Sequence, residues 1–233
     1  MLLGKKINIT INQDVDKIFS TIDHLKQKIK NKDYDFEHLM GENRGDNWKE
    51  GYDGATYAWG TKTYNDSTRQ GYAHMMVIHE HSHDGAWLYG PIMNHLCPWI
   101  DQLKDLTKDL NFVEVGVMQH SGDVIPHLDD PGGEQEQMCR LVTVLYQEDQ
   151  SAHLTAWHSD WDHIPLLRES AEARQEIEHE HFYLDPGESY ALNIKIPHAV
   201  YNTKKRLILS ARFDNTVEEV VNHFESLGPV TIG

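Results

Sequence analysis

Histidine is the residue that stands out, with 16 in a chain of 233. Imidazole is the commonest metal ligand among side chains and a ready acid–base group. A metal site needs ligands that converge, and residues i and i+2 of a strand point to the same side. His127 and Asp129, in IPHLDD, meet that rule. Downstream, Tyr190, Leu192, Ile194, Ile196 and His198 read as one face of another strand, and Arg206 opens the segment RLILSARF. Two imidazoles and a carboxylate on one face of an octahedron leave three positions open, which is the ligand set of non-haem Fe(II) oxygenases. The guanidinium of Arg206 offers a flat, two-pronged donor to the distal carboxylate of an oxo-acid cosubstrate. The pattern reads HxD…H…R.

An HxD pair alone carries no weight, because chance supplies roughly one in a chain this rich in His and Asp. A second pair, His158 and Asp160, does occur. Only 38 residues separate Asp160 from His198, too few for the strands and the helical segment between them, whereas Asp129 to His198 spans 69. The pair His127/Asp129 is therefore preferred. A rival signature is His79-Glu80-His81-Ser82-His83, which matches HExxH, two histidines on one helix face binding zinc with the glutamate as base. Its context is poor: AHMMVI is no clear helix start, and Asp84-Gly85 follows as a turn signal. A zinc metallopeptidase is thus an alternative reading, and a non-catalytic jelly-roll binding module is another. No phosphate loop, no GxSxG elbow and no dinucleotide fingerprint is present. Cys97 and Cys139 form no CxxC pair, and Cys139 reads as a packed thiol rather than a nucleophile.

The elements that must position these residues change character along the chain. Residues 5–11 alternate weakly and predict a short strand. Val15, Ile18, Phe19, Ile22, Leu25 and Ile29 form one apolar stripe, predicting an amphipathic helix packed on a sheet. Residues 40–72 read as loops with short strands, and a second helix is expected from about Ile92 to Leu110, bent at Pro98. From Phe112 onward, FVEVGVMQ, RLVTVLYQ, HLTAW, HFYL, YALNIKI and RLILSARF are short strands separated by the turn signals SGD, DPGG and DPGE. Such spacing predicts an antiparallel sandwich or barrel. Residues 165–180 (PLLRESAEARQEIEHE) read as a helix inserted between strands, with His179 and His181 at its solvated end. That insertion is either a lid or a surface decoration, and its Arg168 and Arg174 are candidates for holding a charged substrate. The expected organisation is one domain over 1–233: bracing helices and strands in 1–110, a β core in 111–215, and a C-terminal segment in 216–233.

Composition narrows the function. Hydrophobic residues at 39% and charged residues at 25% fit a globular chain rather than a disordered one. A net charge of −16 argues against a broad nucleic-acid surface, whose affinity rests on Lys and Arg. No apolar run approaches the roughly 20 residues a membrane helix needs. No secretory signal is visible in MLLGKKINIT, and two cysteines without a framework suit a reducing cytosol, so a cytoplasmic location is expected. No feature specifies an oligomeric state.

Three stretches resemble the aspartyl/asparaginyl β-hydroxylase family of Fe(II)/2-oxoglutarate dioxygenases. They are GVMQHSGDVIPHLD, RLVTVL, and LDPGESYALNIKIPHAVYNTKKRLILSARFD, together covering about residues 112–215. The resemblance implies a mainly β fold with flanking helices, a double-stranded β-helix (jelly roll, cupin-like). It implies Fe(II), 2-oxoglutarate and O₂ as cofactor and cosubstrates. It makes His127 and His198 the iron histidines and assigns Arg206 to the distal carboxylate of 2-oxoglutarate. Arg140 falls where the family has an arginine near the cosubstrate, and Arg212 is a weaker alternative to Arg206. No catalytic group beyond the metal ligands is implied. The best-known peptide hydroxylase of the family lacks a carboxylate at the position of Asp129, whereas related free-proline hydroxylases keep one. The substrate implied is a small molecule or a peptide: an amino acid, free or in a chain, of the Asp/Asn or Pro type.

Overall fold

The structure is a computed structural model, and it describes residues 2–30, 49–50, 56–59, 76–79, 85–88, 96–120, 122–129, 138–201 and 204–233. Two antiparallel sheets carry the site. The larger runs β1 (Gly4–Ile7), β12 (Ser189–Asn193), β9 (Cys139–Gln147), β14 (Arg206–Phe213), β7 (Phe112–His120), β6 (Gly85–Leu88), β5 (Met76–His79), β4 (Thr56–Trp59) and β3 (Lys49–Glu50) in that order. The smaller runs β11 (His179–Tyr183), β10 (His153–Trp157), β13 (His198–Tyr201) and β8 (Val124–His127). From β7 to β14 the chain crosses repeatedly between the sheets, staying in one only at the β10–β11 hairpin, so the architecture is the expected jelly roll, mainly β with flanking helices. A short parallel pair, β2 (Ile9–Ile11) with β15 (Val230–Ile232), closes the chain ends together.

The alternation of β14 shows how the layers form. Leu207, Leu209, Ala211 and Phe213 face a helical layer and are fully buried there. Ile208 faces the space between the sheets with Leu3, Val142, Leu154, Leu192 and Val200. A strand buried on both faces normally reads as continuously apolar. The polar exceptions on the inter-sheet side are Arg206, Ser210 and Arg212, and the first two line a cavity.

The helical layer consists of α1 (Val15–Lys30), α2 (Ile100–Leu106) and α5 (Val217–Leu227). Ile18 and Ile22 of the expected stripe are buried in the same core as Leu103, Val220 and Phe224. Thr216 and Glu219 form a reciprocal capping box that starts α5. None of the described helices is long and apolar enough to cross a membrane.

Several elements differ from expectation. The strand over 5–11 is two strands, β1 and β2, parted at Asn8. Of the helix expected from Ile92 to Leu110 with a bend at Pro98, the described residues show a helical Leu96, a break over residues 97–99, and then α2, which ends at Leu106. A proline suits a helix start better than its interior. Residues 92–95, like most of 40–72, lie outside the described residues. The inserted helix is two short ones, α3 (Ile164–Glu169) and α4 (Ala171–Glu176), preceded by a 3₁₀ turn at Trp161–His163. Ser170 divides them because its hydroxyl accepts the Ala173 N–H and starts a new helix. Residues 179–183 are strand β11, so His179 and His181 sit on a sheet and not on a helix end.

Candidate active site

His198 and His127 are direct cross-strand partners on β13 and β8. Their rings lie side by side, with centroids 4.3 Å apart. Asp129 stands just beyond the end of β8, where its backbone N–H donates to the Ile194 carbonyl at 3.2 Å. It is thus brought in by a bend rather than by strand alternation. Its Oδ1 lies 3.4 Å from His127 Nε2 and 3.9 Å from His198 Nε2. The three side chains offer ligand atoms all within 4.8 Å of one another.

The tautomers explain what this arrangement demands. His127 Nδ1 donates to the Ile125 carbonyl and His198 Nδ1 to the Ile196 carbonyl, each at 2.9 Å. Each Nε2 is then left as a lone pair aimed toward the carboxylate. Burial pushes the His198 imidazolium down to about 4, against the pull of Asp129, so this ring is neutral near pH 7. Burial also opposes charge on His127, but the hydrogen bond and negative charge of Asp129 outweigh it and raise that ring above its ordinary value. Burial opposes ionisation of Asp129, yet Arg140 and the two imidazoles hold its carboxyl well below the usual range. With both rings neutral, two lone pairs and a carboxylate oxygen face one point, a place that suits a cation, either the proton that Asp129 favours on His127 or a metal ion that replaces it. Two nitrogens and one oxygen on one side suit Fe(II) and leave open positions.

Arg140 secures the carboxylate. Its Nε is 3.0 Å from Asp129 Oδ2, and its Nη1 donates to Ser210 Oγ at 2.7 Å. Oδ2 is thereby occupied and Oδ1 is left for the metal. Sequence reasoning placed Arg140 beside a cosubstrate and missed Ser210, whose partner lies 70 residues away in the chain; a serine within the otherwise apolar run LILSA was the only available signal. Replacing Arg140 with Gln is expected to lower metal affinity by about 10–100-fold, the usual cost of losing a partner that orients a ligand. Titration of the apoprotein with Mn(II) followed by electron paramagnetic resonance measures it.

Arg206 is 2% exposed and lines the same cavity, of about 300 Å³, as the triad. Burial alone pushes its guanidinium down to about 10. Its Nε has no hydrogen-bond partner among the described residues, and no carboxylate there forms an ion pair with it. A buried charge without a counter-ion costs several kcal/mol, so the site asks for an anion. Apolar side chains such as Leu154, Leu192, Val200 and Ile208 make up much of the remaining wall.

The structure separates the other candidates. Asp160 accepts from Asp162 N–H and pairs with His163 at 2.8 Å, while His158 pairs with Glu180 at 3.4 Å. Neither belongs to the triad. Arg212 lies opposite Arg140 on β14 and does not line the cavity. Arg168 on α3 donates from Nε to the Pro126 carbonyl at 2.8 Å, next to His127, and its charge reaches that ring. Arg174 instead donates to the Leu167 and Arg168 carbonyls and faces away from this cavity. Cys97 and Cys139 are fully buried, with thiols pushed up to about 12, in keeping with packed rather than nucleophilic roles. The HExxH segment lies outside the described residues beyond the backbone of His79.

No family model and no curated protein matches this chain. Among solved structures, it resembles an N-substituted L-amino acid dioxygenase from Burkholderia ambifaria crystallised with α-ketoglutarate. The identity is 13%, the coverage 51% of this chain and 60% of that one, and the TM-score 0.41. A prolyl-4-hydroxylase from Pseudomonas putida gives 10% identity, 91% coverage of both chains and a TM-score of 0.41. AviO1 from Streptomyces viridochromogenes gives 10% identity, coverage of 91% and 89%, and a TM-score of 0.44. The match to SnoN, an α-ketoglutarate-dependent epimerase of nogalamycin biosynthesis, spans about half of that chain, at 46%.

Proposed function

We propose that the protein is an Fe(II)/2-oxoglutarate-dependent dioxygenase that hydroxylates a C–H bond of an amino acid, free or within a peptide, of the Asp/Asn or Pro type. The observation that carries this reading is a single cavity holding three convergent electron-pair donors and, apart from them, a buried guanidinium with no carboxylate partner among the described residues. His127, Asp129 and His198 would hold the iron. When bound, the metal with 2-oxoglutarate and O₂ supplies the oxidising power, with succinate and CO₂ as the co-products.

The chain's own residues position the reactants. Ile125 and Ile196 carbonyls fix the ring tautomers, and Arg140 with Ser210 holds Asp129. Arg206 would grip the distal carboxylate of 2-oxoglutarate with a fork that a lysine cannot copy. The apolar wall keeps water from competing for that anion. Arg168, tethered beside His127 at Pro126, would receive a carboxylate of the substrate. Free buried thiols and net negative charge support a cytoplasmic enzyme with no nucleic-acid partner.

The test is succinate release from 2-oxoglutarate, measured across a panel of free amino acids and short peptides. Stimulation by at least one Asp, Asn or Pro compound, dependent on added Fe(II), is expected. Fe(II)-independent turnover, or turnover that persists in His127→Ala, would overturn it.

A further inference from the structure

A break in the alternation of β9 sets a second polar side chain beside Arg206. Val142 and Val144 face the space between the sheets, whereas Leu145 and Tyr146, consecutive in the chain, both pack on the helical side. Phe19 of α1 meets Tyr146 edge to face there, with ring centroids 5.2 Å apart. Two successive residues on one face mark a β-bulge, and the ladder agrees. Leu207 of β14 pairs with Tyr146 and Ile208 with Val144, so Leu145 has no partner on that strand. Without the extra residue, alternation from Val144 would turn Gln147 to the helical side. With it, Gln147 faces the same side as Arg206, its direct cross-strand partner.

The end of the Gln147 side chain is buried, and neither its Oε1 nor its Nε2 has a hydrogen-bond partner among the described residues. The Nε of Arg206 lacks one as well. Buried polar atoms are paired as a rule, so three orphaned ones on two neighbouring side chains call for an explanation. Their chemistry is complementary, because the Arg206 Nε–H can only donate and the Gln147 Oε1 can only accept. Arg206 lines the cavity and Gln147 does not, so the carboxamide is set back from the cavity beside the guanidinium. A bond from Nε to Oε1 leaves both Nη groups of the fork for an anion in the cavity. A neutral acceptor orients the guanidinium without cancelling its charge, which a carboxylate at the same place would do.

We propose that Gln147 is a positioning residue for the cosubstrate. Its Oε1 accepts the Arg206 Nε–H as the distal carboxylate of 2-oxoglutarate draws the guanidinium into line, and Arg206 carries the effect to the cosubstrate. The role rests on the oxygenase reading and adds to it a residue that touches neither metal nor cosubstrate. The bulge at Leu145 is then the backbone device that aims Gln147, in keeping with the frequency of bulges next to active sites.

Calorimetric binding of 2-oxoglutarate to the Mn(II)-loaded protein, beside thermal unfolding of the apoprotein, tests it. Gln147→Leu is expected to weaken 2-oxoglutarate binding by about tenfold, the loss of one hydrogen bond to a charged group, with kcat kept. Its apoprotein should unfold at an equal or higher temperature, because two unpaired polar atoms are gone. Gln147→Glu keeps the shape but gives Arg206 a counter-ion. It is expected to weaken 2-oxoglutarate by about 100-fold or more and to raise the unfolding temperature by about 2–4 °C. In Arg206→Met, which has no guanidinium to orient, Gln147→Leu should cost no further affinity. The proposal is overturned if both variants bind 2-oxoglutarate as the wild type does, or if Gln147→Leu loses the same factor in the Arg206→Met background. It is also overturned if Gln147→Glu unfolds below the wild type. A wild type that binds Mn(II) but no 2-oxoglutarate overturns the oxygenase reading and this role with it, whereas variants that match a binding wild type overturn this role alone.

Discussion

Replacing His198 with alanine is expected to lower Fe(II) affinity by more than roughly 100-fold, beyond the 10–100-fold that outer partners contribute. His198 supplies one of three electron pairs, and the two ligands left are a common pairing with no enforced geometry. Oxygenase turnover should fall with it. The apoprotein should keep its fold, because the lost ring is a neutral imidazole whose lone pair faces a carboxylate across 3.9 Å. Metal binding measured by calorimetry, beside thermal unfolding of the apoprotein, separates the two effects. Loss of folding without change in metal affinity would place His198 in the core and not in the site.

Replacing Arg206 with methionine should act oppositely on function and stability. The side chain is 2% exposed and lacks a counter-ion among the described residues. Substituting a buried charge by an apolar side chain of similar reach is often neutral or stabilising by about 1–4 kcal/mol. The apoprotein should therefore unfold at an equal or higher temperature. Hydrogen bonds to charged groups contribute about 1.5–3 kcal/mol each. Loss of a two-pronged contact should accordingly raise the KM for 2-oxoglutarate by about 100-fold or more, and Arg206→Lys by roughly tenfold. Mn(II) affinity should not move. A KM unchanged in both variants, or a large loss of apoprotein stability, would assign Arg206 to packing.

The sequence made β14 legible to the residue, because RLILSARF is a short, largely apolar run that ends at a turn. It also brought His127, Asp129 and His198 to notice, and the structure places these three together. The stretch from Tyr190 to His198 was misread as one strand. Its apolar alternation continues through the crossing from β12 to β13, while the chain moves from one sheet to the other. Asn193, whose side chain accepts the Lys195 N–H at 3.0 Å, and Pro197 were the local signs of that turn. The break at Ser170 could be read from its capping chemistry, and so could the start of α5 in Thr216-x-x-Glu219. The roles of Ser210 and of the Ile125 and Ile196 carbonyls could not. They depend on neighbours up to 70 residues away or on backbone atoms, which no side-chain pattern reveals.

The central claim is that one cavity holds a metal and an oxo-acid together. The most direct measurement is the visible difference spectrum of the protein with Fe(II) and 2-oxoglutarate under anaerobic conditions. A weak charge-transfer band that needs both additions is predicted, absent in His198→Ala and in Arg206→Met at the same cosubstrate concentration. A featureless spectrum from protein to which both have been shown to bind would contradict the claim.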